Sequence, residues 1–328
     1  MSYAITQESF DSLDSYWKNP DHCLGWNSVF VLPVWLKTWW QEFSGGTELY
    51  LSAVWQGEKI IGLAPLLVRE GTASIIGSTD VCDYLDFVVI PGMERVFFIT
   101  LLDDLSQKGI NRLDLEALRP NSTVLTSLLD LAENRGYQVI CQVEDISLEL
   151  DLPDTWEEYL TILNSKQRHE VRRKLRRLSE AGEADYHFIQ DSTAIPDAMD
   201  TFLEMFVESR EDKVKFLTAP MESFFKSLAG NMTEAGLMKL GILELDTLPI
   251  AMIMCFEYDN CIYLYNSGYD SQYSSLSPGL LCKVLCIKKS IQEGKRKFDF
   301  LKGNETYKYR LGGREVPLSR CQITIEQH

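Results

Sequence analysis

The segment FDFLKGNETYKYRLG, residues 298–312, carries the most informative pattern in this chain of 328 residues. Its first residues are apolar like a buried β-strand, and Gly303 then permits a turn. Glu305, Tyr307 and Lys308 crowd together directly after that turn. Because ionisable groups at the end of a buried strand often line a cleft, the pattern indicates either a functional site or a solvated turn before a last strand.

Upstream of this segment, the chain alternates between strands and one long helix. The runs LMKLGIL (237–243) and LPIAMIMCF (248–256) predict a hairpin, and CIYLYNSGY (261–269) predicts a further strand. Pro278-Gly279 then opens a helix that is expected to end near Gly294. Its broad apolar face predicts a helix that packs on the sheet.

The same order of elements occurs earlier in the chain. Pro91 precedes Pro278 by 187 residues, and Asp114 precedes Asp299 by 185 residues. A nearly constant offset between elements of the same type indicates a duplication. We therefore predict an α+β protein of two tandem domains, residues 1–150 and 151–328, each with a mixed, mostly antiparallel sheet flanked by helices.

Charge and composition exclude several classes of protein. The net charge of −16 disfavours general binding to DNA. The longest apolar runs are about half the length that a bilayer requires, and the N-terminus lacks a signal pattern, so we expect a cytoplasmic protein without membrane insertion. The eight cysteines then argue against a disulfide framework, and Cys282 and Cys286 lack a second ligand pair, so no metal site is expected.

The pattern F-D-F-L-x-G-x-E-x-Y-K-Y-R, with the preceding Ser-Pro-Gly helix start, resembles the CelD/BcsL-type acetyltransferases of the GNAT superfamily. That family is related to the FemAB peptidoglycan aminoacyltransferases. The resemblance covers nearly the whole chain, although its diagnostic motifs lie after residue 240. It implies two GNAT-like domains that transfer an acyl group, expected to be acetyl, from acyl-CoA to an amine or hydroxyl of a small-molecule or cell-surface glycan precursor.

The resemblance also places a cofactor site at the start of the helix after the fourth strand. The turn QYSSLSPG, residues 272–279, loosely follows the family's glycine-rich phosphate loop, with Ser275 and Ser277 in the glycine positions. Backbone N–H groups at a helix start favour an anion. The expected cofactor-binding residues are Gln272, Ser275, Ser277, Gly279 and Leu280.

Four residues form the expected catalytic group. Related folds place a tyrosine just after the fifth strand to protonate the leaving thiolate, and Tyr307 occupies that place. Glu305 and Asp270 are the alternatives for the base, and Lys308 belongs to the same group. A phenol is suited to a departing thiolate, and much of such catalysis is positioning, so a single base need not exist.

A basic helix is expected at residues 166–177, where seven of twelve residues are Lys or Arg. It is either a solvated face or a surface for the phosphates of a donor or acceptor, with Arg168, Arg172 and Arg173 as candidate ligands. Contact with RNA is a further alternative, which would show as a steep salt dependence of binding.

In the first domain, Asp83, Tyr84 and Asp86 resemble a D-Y-x-D element of the same family and are candidates for binding an acceptor amine. An acidic loop between strands is the alternative. The segment after Asp114 lacks the Gly-x-Glu-x-Tyr-Lys pattern, so we expect the first domain to shape the acceptor site and the second to hold the donor and the chemistry.

Two other functions stay open at this stage. Transfer of an aminoacyl group from tRNA is less favoured, because the chain has no heptad run long enough for the coiled-coil arm of several tRNA-using relatives. A non-catalytic binding module that retains the fold is favoured only by the serine-substituted turn.

Overall fold

Two units make up the chain in the computed structural model, which describes residues 2–189, 191–209 and 211–325. Unit 2 is Ser147–Glu315, and the described residues of unit 1 lie within 2–146 and 316–325. The observed boundaries fall close to the predicted one at residue 150 but differ in one respect. Residues 316–325 belong to unit 1 and not to the second domain.

Unit 1 begins with a strand and two helices and continues as a sheet with a crossover helix. Its elements are β1 (Tyr3–Gln7), α1 (Phe10–Lys18), α2 (Pro33–Phe43), β2 (Glu48–Gln56), β3 (Lys59–Arg69), β4 (Thr72–Ile75), β5 (Val88–Val89), α3 (Glu94–Gln107), β6 (Arg112–Leu118), α4 (Leu129–Asn134) and the first part of β7 (Gln138–Asp151).

Unit 2 repeats this order with longer helices. Its elements are the end of β7, α5 (Trp156–Ile162), α6 (Ser165–Ala181), β8 (Ala184–Phe188), α7 (Ile195–Glu208), α8 (Glu211–Phe216), α9 (Ala219–Glu234), β9 (Met238–Leu245), β10 (Leu248–Tyr258), β11 (Cys261–Tyr269), α10 (Pro278–Gln292), β12 (Lys297–Lys302), α11 (Thr306–Arg310) and the start of β13 (Arg314–Thr324).

The pairing of strands repeats as well, as the sequence offset predicts. In unit 1, β1, β2, β3 and β4 pair antiparallel in that order, and β4 then pairs parallel with β6. In unit 2, β8, β9, β10 and β11 pair antiparallel, and β11 pairs parallel with β12. The crossover helices α3 and α10 lie at equivalent positions in the chain, so the prediction of a duplicated α+β unit is confirmed.

Tight turns set the register of the hairpins. Asp246 and Thr247 join β9 to β10, and Asp259 and Asn260 join β10 to β11; all four have positive φ. Two successive residues with positive φ match the twist of a two-residue hairpin, and Asp and Asn tolerate this conformation better than most residues. The turns therefore stabilise the predicted meander.

Strand β13 explains why the C-terminal residues belong to unit 1. Ser319–Thr324 of β13 pair antiparallel with β6. Arg320 binds Asp114 through two hydrogen bonds of 2.7 Å, and this ion pair lowers the pKa of the Asp114 carboxyl. The internal repeat could not predict this pairing, because the offset compares only residues up to β6 in unit 1 and β12 in unit 2.

The cysteines are of two kinds. Cys255, Cys261, Cys282 and Cys286 are buried thiols, as predicted, and burial raises the pKa of Cys282 well above its usual range. Cys141 and Cys321, on neighbouring strands β7 and β13, form a disulfide, which departs from the expectation of free thiols. Their Cα atoms are 4.1 Å apart in the folded unit, although 180 residues separate them in the chain.

Among the described residues, no helix combines the length and apolar character that a membrane span requires.

Candidate active site

The sheet of unit 2 opens between strands β11 and β12. These strands pair over three residues only, Cys261–Tyr263 with Lys297–Asp299. After Asp299 strand β12 has a bulge and continues its pairing with β7. No further β11–β12 pair occurs within residues 211–325, so the two strands separate at their C-terminal ends and leave room for a ligand there.

The predicted phosphate turn lies directly after β11. Residues Ser271–Leu276 form a 3-10 helix, and Ser277 follows with φ 59° and ψ 49°, immediately before α10 begins at Pro278. This left-handed conformation favours glycine, which agrees with the predicted place of Ser277 at a glycine position of the loop. Gln272 and Ser275 are exposed in the same turn.

Gly279 lies in the first turn of α10, where there is no room for a side chain. A Cβ atom added there would lie 2.8 Å from Cδ1 of Tyr269, the last residue of β11. The start of α10 therefore lies against the end of β11, beside the opening. Leu280, the fifth predicted cofactor residue, is half-buried at this point.

Asp270, a candidate base, has a local structural partner. Its side chain accepts a hydrogen bond of 2.8 Å from the Gln272 N–H and caps the 3-10 helix. A carboxylate that holds this turn is less available to accept the proton of a nucleophile.

The turn after β12 is built around Lys308. Its ammonium donates to the carbonyl oxygens of Leu301 (3.0 Å), Lys302 (2.5 Å) and Gly303 (3.2 Å) and lies 2.9 Å from the Glu305 carboxylate. Only 2% of Lys308 is exposed. An ammonium has three hydrogens, and the turn uses all of them, so the geometry favours a structural role for Lys308 over the predicted catalytic one. Glu305, the other candidate base, is 44% exposed and bound to the same ammonium.

Tyr307 lies half-buried in α11, directly after this turn. Its ring centroid is 6.5 Å from that of Phe300 on β12. The Nζ atom of Lys283 lies 4.9 Å from the centre of the Tyr307 ring. The predicted acid is therefore beside the end of β12, where the sheet opens.

Lys283 is a member of this group that the sequence interpretation did not include. It lies on the buried side of α10, and its Nζ donates to the Ser267 hydroxyl (2.8 Å) and to the Gly279 carbonyl (3.0 Å). Burial lowers the pKa of its ammonium. Its position four residues before Ile287, within the apolar face of the predicted helix, is the signal that identifies it in the sequence.

The basic residues of α6 divide into two groups. Arg172 pairs with Glu157 (3.3 Å), Arg173 makes two hydrogen bonds to Glu170, and Arg168 donates to the Leu160 carbonyl (3.2 Å). The three predicted arginines are thus engaged within unit 2.

Lys166 and Lys174, on the same helix, line a cavity of about 550 Å³, together with Arg310, Val171, Leu280 and Leu311. Lys174 donates to the Ser277 hydroxyl of the phosphate turn (2.5 Å). Among the described residues, neither Lys166 nor Arg310 has a carboxylate oxygen within 4.0 Å. Glu170 also lines the cavity and pairs with Lys174 (3.4 Å). The two remaining cations, Lys166 and Arg310, beside an apolar wall suit an anionic group with an apolar part.

In unit 1 the corresponding space is occupied by the chain itself. Strands β4 and β6 also pair only briefly, and the N–H of Leu85 donates to the Ala117 carbonyl at the end of β6 (3.1 Å). Tyr84 and Asp86, two of the predicted acceptor ligands, are buried, while Asp83 is half-buried. The side chain of Asp86 accepts hydrogen bonds from the N–H and hydroxyl of Thr123.

Comparison with known proteins agrees with this architecture. Residues 165–309 match the family model of the acetyltransferase (GNAT) domain. The chain is similar in structure to FemX, with a TM-score of 0.67, 12% identity, and 97% of this chain and 96% of that chain covered. It is also similar to a tandem GNAT protein from the clavulanic acid biosynthesis pathway, with a TM-score of 0.51, 11% identity and all of both chains covered. The chain has a tandem GNAT fold.

A third similar structure is the C-terminal domain of a protein from Agrobacterium fabrum that is described as a lysylphosphatidylglycerol synthetase. Its TM-score is 0.59 at 11% identity, with 97% of this chain and 92% of that chain covered. No curated protein matches the sequence significantly. The GNAT fold confirms the predicted fold class, and the GNAT domain match supports acyl transfer as the type of chemistry.

Proposed function

We propose that this tandem GNAT protein transfers an acyl group, in the first instance acetyl, from a CoA thioester to an amine or hydroxyl. The observation that carries the proposal is the opening between β11 and β12, with Tyr307 at its edge. The acceptor class, a small molecule or cell-surface glycan precursor, rests on the resemblance to the CelD/BcsL-type branch.

The chemistry assigns a task to each group at the opening. The acceptor nitrogen or oxygen adds to the thioester carbonyl, and negative charge develops on the carbonyl oxygen. The C–S bond then breaks, and the Tyr307 hydroxyl gives its proton to the departing thiolate. The acceptor loses its own proton to water or to Glu305, whose carboxylate is the more exposed of the two candidate bases.

We propose that the phosphates of the donor bind in the cavity beside Ser277. Its cations, Lys166, Lys174 and Arg310, supply the charge that the serine-substituted turn offers less readily through its backbone. We therefore assign phosphate binding to these residues in place of Arg168, Arg172 and Arg173, which do not line the cavity.

A binding titration tests this assignment. Calorimetry with acetyl-CoA would compare the wild type with Lys174→Gln, and Arg172→Gln on the same helix is the matched control. Loss of one charged contact should weaken binding by about 10-fold, whereas the control should bind like the wild type. Equal weakening by both variants would contradict the role of the cavity, and absence of binding to any acyl-CoA would contradict the donor class.

Transfer of an aminoacyl group from tRNA is the second candidate. The similarity to FemX and to the synthetase domain favours it, because the names of those proteins point to the Fem group and to lysyl transfer. Titration with charged tRNA, when acyl-CoA fails to bind, distinguishes the two donors. Failure of both would favour a non-catalytic binding module. Both donors are made in the cytoplasm, where we propose that the protein acts.

For unit 1 we propose an acceptor-shaping role without chemistry. Its space between β4 and β6 is filled by the segment that contains Tyr84 and Leu85, so a donor cannot enter there as it can in unit 2. Activity should therefore be lost by changes at Tyr307 and should persist after changes in the segment Leu118–Ser122, measured as thiol release from acetyl-CoA.

A further inference from the structure

Lys283 is a buried ammonium without a carboxylate in direct contact, although Glu305 attracts it from a longer distance. Only 7% of the residue is exposed. Among the described residues, no carboxylate oxygen lies within 4.0 Å of its Nζ. A charge that is removed from water without a counter-ion in contact destabilises the folded state, and proteins seldom retain one without a functional reason.

Each of the three N–H groups of the Lys283 ammonium faces a neighbouring group. Two hydrogen bonds go to the Ser267 hydroxyl and to the Gly279 carbonyl, and the third side faces the Tyr307 ring. Ser267 lies near the end of β11 and Tyr307 follows β12, so Lys283 connects the two sides of the opening.

Two lysines hold Ser267 in place, one at its carbonyl oxygen and one at its hydroxyl. Lys213 donates to the Ser267 carbonyl (2.6 Å), while Lys283 donates to the hydroxyl oxygen. Because the hydroxyl oxygen accepts from Lys283, the hydrogen of the hydroxyl points away from Lys283 and can be donated to another acceptor. A carbonyl oxygen in the opening would provide that acceptor.

The close packing of β11 keeps Ser267 at this position. A Cβ atom on the next residue, Gly268, would lie 2.5 Å from the backbone nitrogen of Phe206 in α7. The strand is thus pressed against α7 and has little freedom to move Ser267 away from the opening.

We propose that Lys283 is a positioning residue for acyl transfer: it orients the Ser267 hydroxyl and the Tyr307 ring, and its fixed charge favours the negative charge that develops on the thioester oxygen. This inference rests on the proposed function. The lowered pKa of the ammonium follows from this burial. The role differs from that of Lys308, which binds the carbonyl oxygens of its own turn.

Replacement of Lys283 by methionine separates a positioning role from a structural one. Methionine has a similar length without the charge, so Lys283→Met should raise the melting temperature by about 2–4 °C. The same variant should lower kcat for thiol release from acetyl-CoA by about 100-fold and leave KM within about twofold. Lys289→Met, on the same helix at a residue 40% exposed, is the control and should change neither quantity.

The double variant with Ser267→Ala tests whether Lys283 acts through the serine. If it does, the loss of kcat in the double variant should equal that of Lys283→Met alone. Lys283→Arg should recover part of kcat, since it restores a charge and hydrogen-bond donors. Unchanged kcat in Lys283→Met, additive losses in the double variant, or a lower melting temperature that accompanies the loss of activity would each overturn the inference. Absence of thiol release by the wild type with any acyl-CoA would instead contradict the proposed function.

Discussion

Asp86 should make unit 1 less stable as the pH rises from 4 to 7. Its carboxyl is 8% exposed, and burial raises its pKa to about 6, although hydrogen bonds from Thr123 and Phe87 oppose the shift. In the unfolded chain an aspartate titrates near pH 3.9. The folded state therefore binds a proton at Asp86 more strongly than the unfolded state does. The stabilisation that this gives to unit 1 is present below pH 4 and is lost as the pH rises through 6. A difference of about two pKa units corresponds to about 3 kcal/mol.

Asp86→Asn removes this titration and keeps an acceptor for Thr123. We expect the free energy of unfolding of the wild type, minus that of the variant, to fall by about 2 kcal/mol between pH 4 and pH 7, because part of the full difference is already lost at pH 4. The difference cancels the other groups that titrate in both proteins. Asp80→Asn, at an exposed position of the same segment, is the matched control and should leave the pH profile unchanged.

Urea unfolding followed by tryptophan fluorescence is the appropriate assay. Six of the seven tryptophans lie between Trp17 and Trp55, so the signal reports chiefly on unit 1. A flat difference between pH 4 and pH 7 would refute the argument from burial. It would also revive the sequence-based interpretation of Asp86 as an ionised ligand of an acceptor amine.

Three further predictions concern other parts of the molecule. Tyr307→Phe should lower kcat for thiol release from acetyl-CoA by at least about 100-fold, because it removes the proton for the thiolate; an unchanged kcat removes the acid role. Gly279→Ala should weaken binding of acetyl-CoA in calorimetry, because the added Cβ lies 2.8 Å from Tyr269; equal affinity would show that the ring moves aside. Asp114→Asn should lower the free energy of unfolding of unit 1 by about 1 kcal/mol, since its partner Arg320 is 36% exposed and partly screened, and tryptophan fluorescence would detect the loss.

Local patterns and the internal offset were sufficient to predict the fold. The two hairpins of unit 2, the helix after Pro278 and the strand with Asp299 all occur where the sequence indicates. Each depends on a period or a turn residue that acts within a few positions. The left-handed conformation of Ser277 agrees with the glycine position that the family resemblance implies.

The contacts of charged side chains were much less predictable. Arg172 looked like a ligand because the sequence does not show that Glu157, on α5, faces it. Lys308 looked catalytic because its three carbonyl partners depend on the path of the turn after β12. These partners are fixed by three-dimensional packing, whereas Glu170, three residues before Arg173 on α6, follows from the helical spacing.

Lys283 was missed for the opposite reason. Its place on the apolar face of α10 is visible in the sequence, but one lysine in such a face is normally expected to extend its ammonium into water. The structure surrounds it with Ser267, Gly279 and Tyr307 instead. A lone charge within a predicted buried face is therefore worth examination whenever a functional segment follows the same helix.

Strand β13 has a consequence for the order in which the protein is made. Unit 1 includes residues from both sides of unit 2 in the chain, and the partner of Asp114 on β13 leaves the ribosome after all of Ser147–Glu315 has been synthesised. Domains generally fold in the order of synthesis, N-terminal first. When the last residue of unit 2 has been synthesised, β13 is not yet complete and cannot pair with β6 of unit 1. Every residue of unit 2 is available for folding at that point. Biogenesis thus favours completion of the unit that holds Tyr307 before the unit that begins the chain.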